Sequence, residues 1–192
     1  WSKHKSFSYI FKGDFNYVSE QIVDFKKLVD AGKGLNKINL EKEYSFSEYE
    51  GVVIENVVHE DMLKLLQNYY RTTITNNVFE LGDKQSKRYK ANNEPLSRFL
   101  HYEILPLVER IADKKMRPTY TYLSAYTKDS DLPAHTDRED CEYTASFLVS
   151  KDTDWPIYLH KEKQKQKYKG RIGYNPDIKE CECLTSGENG II

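Results

Sequence analysis

A histidine and an aspartate stand two residues apart in "DLPAHTDREDCEYTASFLVS" (131–150), just ahead of an apolar run that reads as a strand. On extended backbone, residues i and i+2 share a face, so the imidazole of His135 and the carboxylate of Asp137 point into the same space. One nitrogen and one oxygen donor so placed supply two of the three positions of a 2-His-1-carboxylate facial set. Such a set leaves sites open on iron(II) for an oxo acid and O2. The third ligand, a distal histidine, has to come from a later strand. The competing account is a surface turn, where His and Asp are both at home. Arg138 follows directly and can either clamp a substrate carboxylate with its planar fork or make a surface ion pair with Glu139 or Asp140.

Helices come first along the chain. "YVSEQIVDFKKLVDAG" (17–32) repeats Val18, Ile22, Phe25, Leu28 and Val29 at helical spacing, with Ser19 as the expected N-cap and Gly32 as the stop. "YEGVVIENVV" (49–58) is short and β-branched, a strand, and "HEDMLKLLQNYYRTTI" (59–74) returns to helical period. The tyrosines of "LQNYYR" are packing residues before they are a ligand box. "EPLSRFLHYEILPLVERIADKK" (94–115) is a further helix that Pro106 is expected to kink or divide. Between these last two helices, the polar segment 75–95 reads as a lid loop that offers Arg88 and Tyr89 to a ligand.

From Pro118 the texture changes to alternation with period two. "PTYTYLSAY", "YTASFLVS" and "WPIYLHKE" are strands, the last anchored in the core by Trp155 and Pro156, while "KYKGRIGY" and "ECECL" form a hairpin and its return. Helices followed by a run of strands predict an α+β protein whose strands form an antiparallel barrel or sandwich with helices packed outside.

Composition restricts the partners. The chain has 192 residues, with 29 basic against 30 acidic, so there is no global field to recruit nucleic acid. The lysine-rich run "HKEKQKQKYKG" is better explained as a solvated hairpin edge that lysines keep from aggregating. No apolar run reaches the roughly 20 residues of a membrane helix, and no signal-like core opens the chain, so a soluble cytoplasmic protein is expected. A first residue of Trp suggests an excerpt or processed chain. Cys141, Cys181 and Cys183 are too few for a disulfide framework; Cys181 and Cys183 read as alternating strand positions, and this usage fits a reducing compartment.

Taken together, residues 49–192 resemble the iron(II)- and 2-oxoglutarate-dependent dioxygenases, and their prolyl-4-hydroxylase-like branch in particular. The resemblance rests on the strand and helix "VVIENVVHEDMLKLL", the helix "LSRFLHYEILPLVERIA", and a strand ending at Tyr126, nine residues before His135-x-Asp137. The strands that follow, "WPIYL" among them, complete it. It implies a double-stranded β-helix, a jelly-roll or cupin-like barrel, over 49–192, with 1–48 as a helical extension. It also implies an enzyme that consumes 2-oxoglutarate and O2, releases succinate and CO2, and hydroxylates an amino-acid, peptidyl or related small-molecule substrate. His135 and Asp137 hold the metal on this account; the aspartate favours hydroxylation, since halogenating relatives have a small residue there. Tyr126 matches a tyrosine near the cosubstrate, Tyr120, Tyr122 and Ser124 share its face by strand parity, and Thr144 sits where relatives carry a small polar residue close to the cosubstrate.

Two parts of that pattern are missing. After Asp137 the next histidine is His160, too early and inside a strand, and Lys169 and Arg171 precede the expected place of the basic partner for the cosubstrate's far carboxylate. A chain that continues past Ile192 with a histidine and then an Arg or Lys is therefore expected. The alternatives are a non-catalytic binding module on a degenerate dioxygenase or cupin fold, and a cupin with unrelated metal chemistry. Neither the substrate nor the oligomeric state follows from the residues.

Overall fold

A computed structural model of the chain describes residues 15–40, 44–46, 51–82, 86–138, 141–162 and 177–192. Among these residues three α-helices pack around one core. In α1 (Phe15–Asp30) Val18 and Phe25 are buried, with Tyr17, Ile22, Leu28 and Val29 packed against the core beside them. Gly32 ends it: its φ of 74° lets Lys33 N–H reach the Leu28 carbonyl at 2.8 Å while its own N–H donates to Val29 at 2.9 Å. This crossed pair satisfies carbonyls the helix would otherwise leave open. In α2 (Glu60–Thr75) the buried face is Met62, Leu66, Tyr69, Tyr70 and Thr73. His59 caps its start by accepting the Asp61 N–H at Nδ1, 3.1 Å away. In α3 (Pro95–Ala112) the buried face is Leu96, Leu100, Ile104 and Leu107.

Glu94 locks α2 to α3. Only 2% exposed, it caps α3 by accepting the N–H groups of Leu96 (3.1 Å) and Ser97 (2.8 Å). The Tyr69 hydroxyl donates to the same carboxylate at 2.6 Å and that of Tyr70 at 3.3 Å. A buried carboxylate is tolerated when every lone pair is met, and here two helices meet it together.

The strands make small antiparallel sheets. β1 (Tyr44–Phe46) and β2 (Val52–Ile54) pair, β3 (Glu80–Leu81) and β4 (Arg88–Asn92) pair, and β5 (Tyr122–Tyr126) lies on the other side of β4. β6 (Phe147–Leu148), β7 (Ile157–His160), β8 (Cys181–Leu184) and β9 (Gly190–Ile191) follow; β9 lies between β2 and β6, and β7 pairs with β8. Ile54 and Ile191, opposite one another, are both buried. The protein is α+β, as expected, and the described strands do not close into a barrel. Among the described residues no helix is long and apolar enough to cross a membrane.

Five local expectations are corrected. Ser19 is not an N-cap, because α1 begins at Phe15 and runs through it. Pro106 does not divide α3; it and Tyr102, whose carbonyl loses the bond, are both exposed, so water can substitute. The segment 75–95 is not one loop. Tyr89 and Ala91 pack on the core while Arg88, Lys90 and Asn92 face away, and this alternation makes β4 a strand of the β5 sheet. The strand expected over "YTASFLVS" (143–150) is confined to Phe147–Leu148. Trp155 is not a core anchor: it is 38% exposed and precedes β7. The parity expected of Cys181 and Cys183 holds in β8, and Tyr69 and Tyr70 are packing residues. Lys169, Arg171 and the hairpin "KYKGRIGY" lie outside the described residues.

Candidate metal centre

The chain leaves β5 through a turn at 127–130, where the Ser130 N–H donates to the Thr127 carbonyl at 3.1 Å. Thr127 Oγ1 in turn donates to the Lys87 carbonyl at 2.9 Å, which ties the turn to the start of β4. Residues 131–138 then run without a ladder partner among the described residues. His135 and Asp137 lie on this stretch, and Nε2 of the one is 3.8 Å from Oδ1 of the other.

Each side chain of the pair is held by a second bond. His135 Nδ1 is 2.8 Å from the Pro133 carbonyl. A carbonyl only accepts, so Nδ1 carries a proton, and Nε2 is the nitrogen on the side of Asp137. Thr144 Oγ1 donates to Asp137 Oδ2 at 2.6 Å, which leaves Oδ1 toward the imidazole. A ring nitrogen fixed by a backbone carbonyl and a carboxylate fixed by a hydroxyl form the outer shell that metal ligands commonly carry. One imidazole nitrogen and one carboxylate oxygen are donor types that a divalent first-row ion takes. Among the described residues no third His, Cys, Asp or Glu completes the group. His160, in β7, stands opposite Cys181 with its Nε2 3.9 Å from a Glu180 carboxylate oxygen.

Arg138 turns to an aromatic face: its guanidinium carbon is 4.8 Å from the centre of the Tyr120 ring. Glu139 and Asp140, its alternative partners, lie outside the described residues. Burial, followed by the Cys141 side chain, pushes the Tyr120 phenol up to about 12; the Asp137 charge acts in the same direction and Arg138 opposes it. Tyr120 therefore stays protonated at neutral pH beside the carboxylate.

Three other expected site residues meet on the outer face of the β4–β5 sheet. Arg88, 5% exposed, donates from Nη1 to the Tyr126 hydroxyl at 2.8 Å and lies 4.8 Å from the Tyr122 ring centre. Behind Tyr126 stacks Trp155, with ring centres 4.6 Å apart at 25°. Reading the sequence missed Trp155 as part of this group and missed Thr144 as a partner of Asp137. Strand parity placed Tyr122 and Tyr126 on one face, but no local signal says which strand lies beside them.

No protein-family model matches this chain, and neither a curated protein nor a solved structure matches it significantly.

Proposed function

We propose that the chain is the metal-binding part of an iron(II)- and 2-oxoglutarate-dependent oxygenase of the prolyl-4-hydroxylase-like branch, on a jelly-roll scaffold. The reaction is R–H + 2-oxoglutarate + O2 → R–OH + succinate + CO2, with an amino-acid, peptidyl or related small molecule as R–H. The observation that carries this reading is the His135–Asp137 pair, 3.8 Å apart, with the imidazole Nδ1 committed to Pro133 and the carboxylate committed to Thr144. Iron(II) held there supplies O2 activation and the chelation of an oxo acid. His135 and Asp137 hold the metal, Tyr126 and Tyr122 form the aromatic wall of the cosubstrate site with the buried Arg88 behind them, and Arg138 is the cation for a substrate carboxylate.

The test is anaerobic addition of iron(II) and 2-oxoglutarate to a protein that also carries the distal histidine and the basic partner, which should raise a visible charge-transfer band in the wild type and none in His135→Ala; residues 1–192 alone are expected to bind iron weakly or not at all. A band that survives that substitution places the metal elsewhere and ends this assignment. A second reading, a non-catalytic binding module on the same fold, draws on the pair standing without a third ligand among the described residues. Iron-dependent formation of succinate separates the two.

A further inference from the structure

We infer that Asn189–Gly190 is a deamidation site that the fold holds closed and that opening of β9 releases, with no dependence on a metal. It is the one Asn-Gly pair in the sequence. In such a pair the next backbone nitrogen reaches the side-chain amide most freely, because glycine has no Cβ to obstruct the approach. The Gly190 nitrogen bonds to Asn189 Cγ, the Cγ–Nδ2 bond breaks, and ammonia leaves with the proton that the backbone nitrogen gives up. Water then opens the five-membered imide at either carbonyl and leaves aspartate or isoaspartate.

The groups that would react are all engaged in the folded chain. Asn189 is only 6% exposed; its Oδ1 accepts the Val58 N–H at 2.8 Å and its Nδ2 donates to the Val58 carbonyl at 2.7 Å. The attacking nitrogen is committed as well, since the Gly190 N–H donates to the Gly187 carbonyl at 3.0 Å. The Asn189 backbone is pinned on both sides: its N–H donates to the Leu148 carbonyl at 2.8 Å and its carbonyl accepts the Val57 N–H at 2.9 Å. An amide held to one peptide group cannot turn toward a nitrogen held to another. Ring closure therefore requires β9 to leave β2 and β6. The product does not return to the same seat. A carboxylate has no proton for the Val58 carbonyl, which keeps only the Asn36 donor, and it places a charge in a buried position. Isoaspartate also inserts a methylene into the backbone. Each opening of β9 thus risks a change that cannot be reversed by refolding.

The experiment incubates the full chain at mildly alkaline pH, native and in guanidinium chloride, and follows by mass spectrometry the amide-to-acid gain in the peptide that carries Asn189. The native chain is expected to convert at least about ten-fold more slowly than the unfolded chain. Ile54→Val trims the side chain opposite Ile191 and leaves the Asn-Gly pair untouched; it should raise the native rate by about two- to ten-fold. Asn189→Asp, the product made genetically, should lower the denaturation midpoint. Native and unfolded rates within about two-fold of each other overturn the inference, because the hydrogen bonds then give no protection. An Ile54→Val rate equal to wild type also overturns it, since β9 is then not the gate. An unchanged midpoint in Asn189→Asp refutes the one-way character of the site.

Discussion

Arg88 and Tyr126 stand directly opposite each other across the β4–β5 ladder, and the guanidinium donates to the phenol oxygen at 2.8 Å. The Arg88 charge also lies over the rings of Tyr122 and Tyr126, at 4.8 and 5.5 Å from their centres. A buried guanidinium used in this way is both a donor and a packing surface. Tyr126→Phe should lower stability by about 2 kcal/mol, as expected when a charged donor loses its acceptor. Arg88→Lys should also destabilise, because an ammonium cannot lie flat between two rings. A double-mutant cycle by urea denaturation should give a coupling of about 1 kcal/mol or more. A coupling near zero would show that the pair does not cooperate.

Truncating the buried carboxylate at the α2–α3 junction should be among the most damaging single changes. Glu94→Ala strands the hydroxyl of Tyr69 and the first N–H groups of α3 and leaves the Tyr70 hydroxyl with Ser97 alone, and a loss of about 3 kcal/mol or more is expected. Glu94→Gln keeps the volume and one acceptor oxygen and should fall between. Midpoints of chemical denaturation measure both.

Alkali should weaken the fold through the same residues. Burial, then the Glu94 charge, raises the Tyr69 and Tyr70 phenols above their ordinary value of 10.0. The folded chain then keeps protons that the unfolded chain releases. The stabilisation is complete below pH 10 and declines as pH rises beyond it, by up to about 1.4 kcal/mol per pH unit for each tyrosine. Unfolding free energies between pH 8 and pH 11 should trace this fall, and a flat profile would contradict the buried hydroxyl pair.

Two glycines should respond differently to a methyl group. At Gly190 a Cβ would lie 2.6 Å from Glu55 Oε2, 2.7 Å from Ser186 Cβ and 2.9 Å from the Gly187 carbonyl. Gly190→Ala should cost about 2 kcal/mol by crowding. At Gly32 nothing lies within 4 Å, and the strain is only that of φ 74°. Gly32→Ala should cost about 1 kcal/mol. Thermal melts of the two variants rank them, and the reverse order would refute the close approach at β9.

Removing either member of the candidate ligand pair should spare the fold. His135 and Asp137 sit exposed on a stretch outside the ladders. His135→Ala and Asp137→Ala should keep the wild-type denaturation midpoint within about 0.5 kcal/mol. On the proposed function, both should also abolish succinate formation in an otherwise complete enzyme. Wild-type turnover in either variant removes the assignment.

The sequence by itself determined the elements whose cause is local. Apolar residues every three to four positions mark α1, α2 and α3, because the helical period is set by the backbone and not by neighbours. Gly32 as the stop of α1, the parity of Cys181 and Cys183, and the shared side of His135 and Asp137 follow from the same kind of rule. What brings distant residues together has no local cause. β9 inserts between β2 and β6, and strands of two residues such as Phe147–Leu148 and Gly190–Ile191 are too short to show a period. Arg88 reaches Tyr126 across 38 positions and Glu94 collects the hydroxyls of Tyr69 and Tyr70, while Trp155 stacks on Tyr126 and Thr144 takes one oxygen of Asp137. These are choices of partner and register. They depend on which faces must be buried together, and only the packed chain decides that.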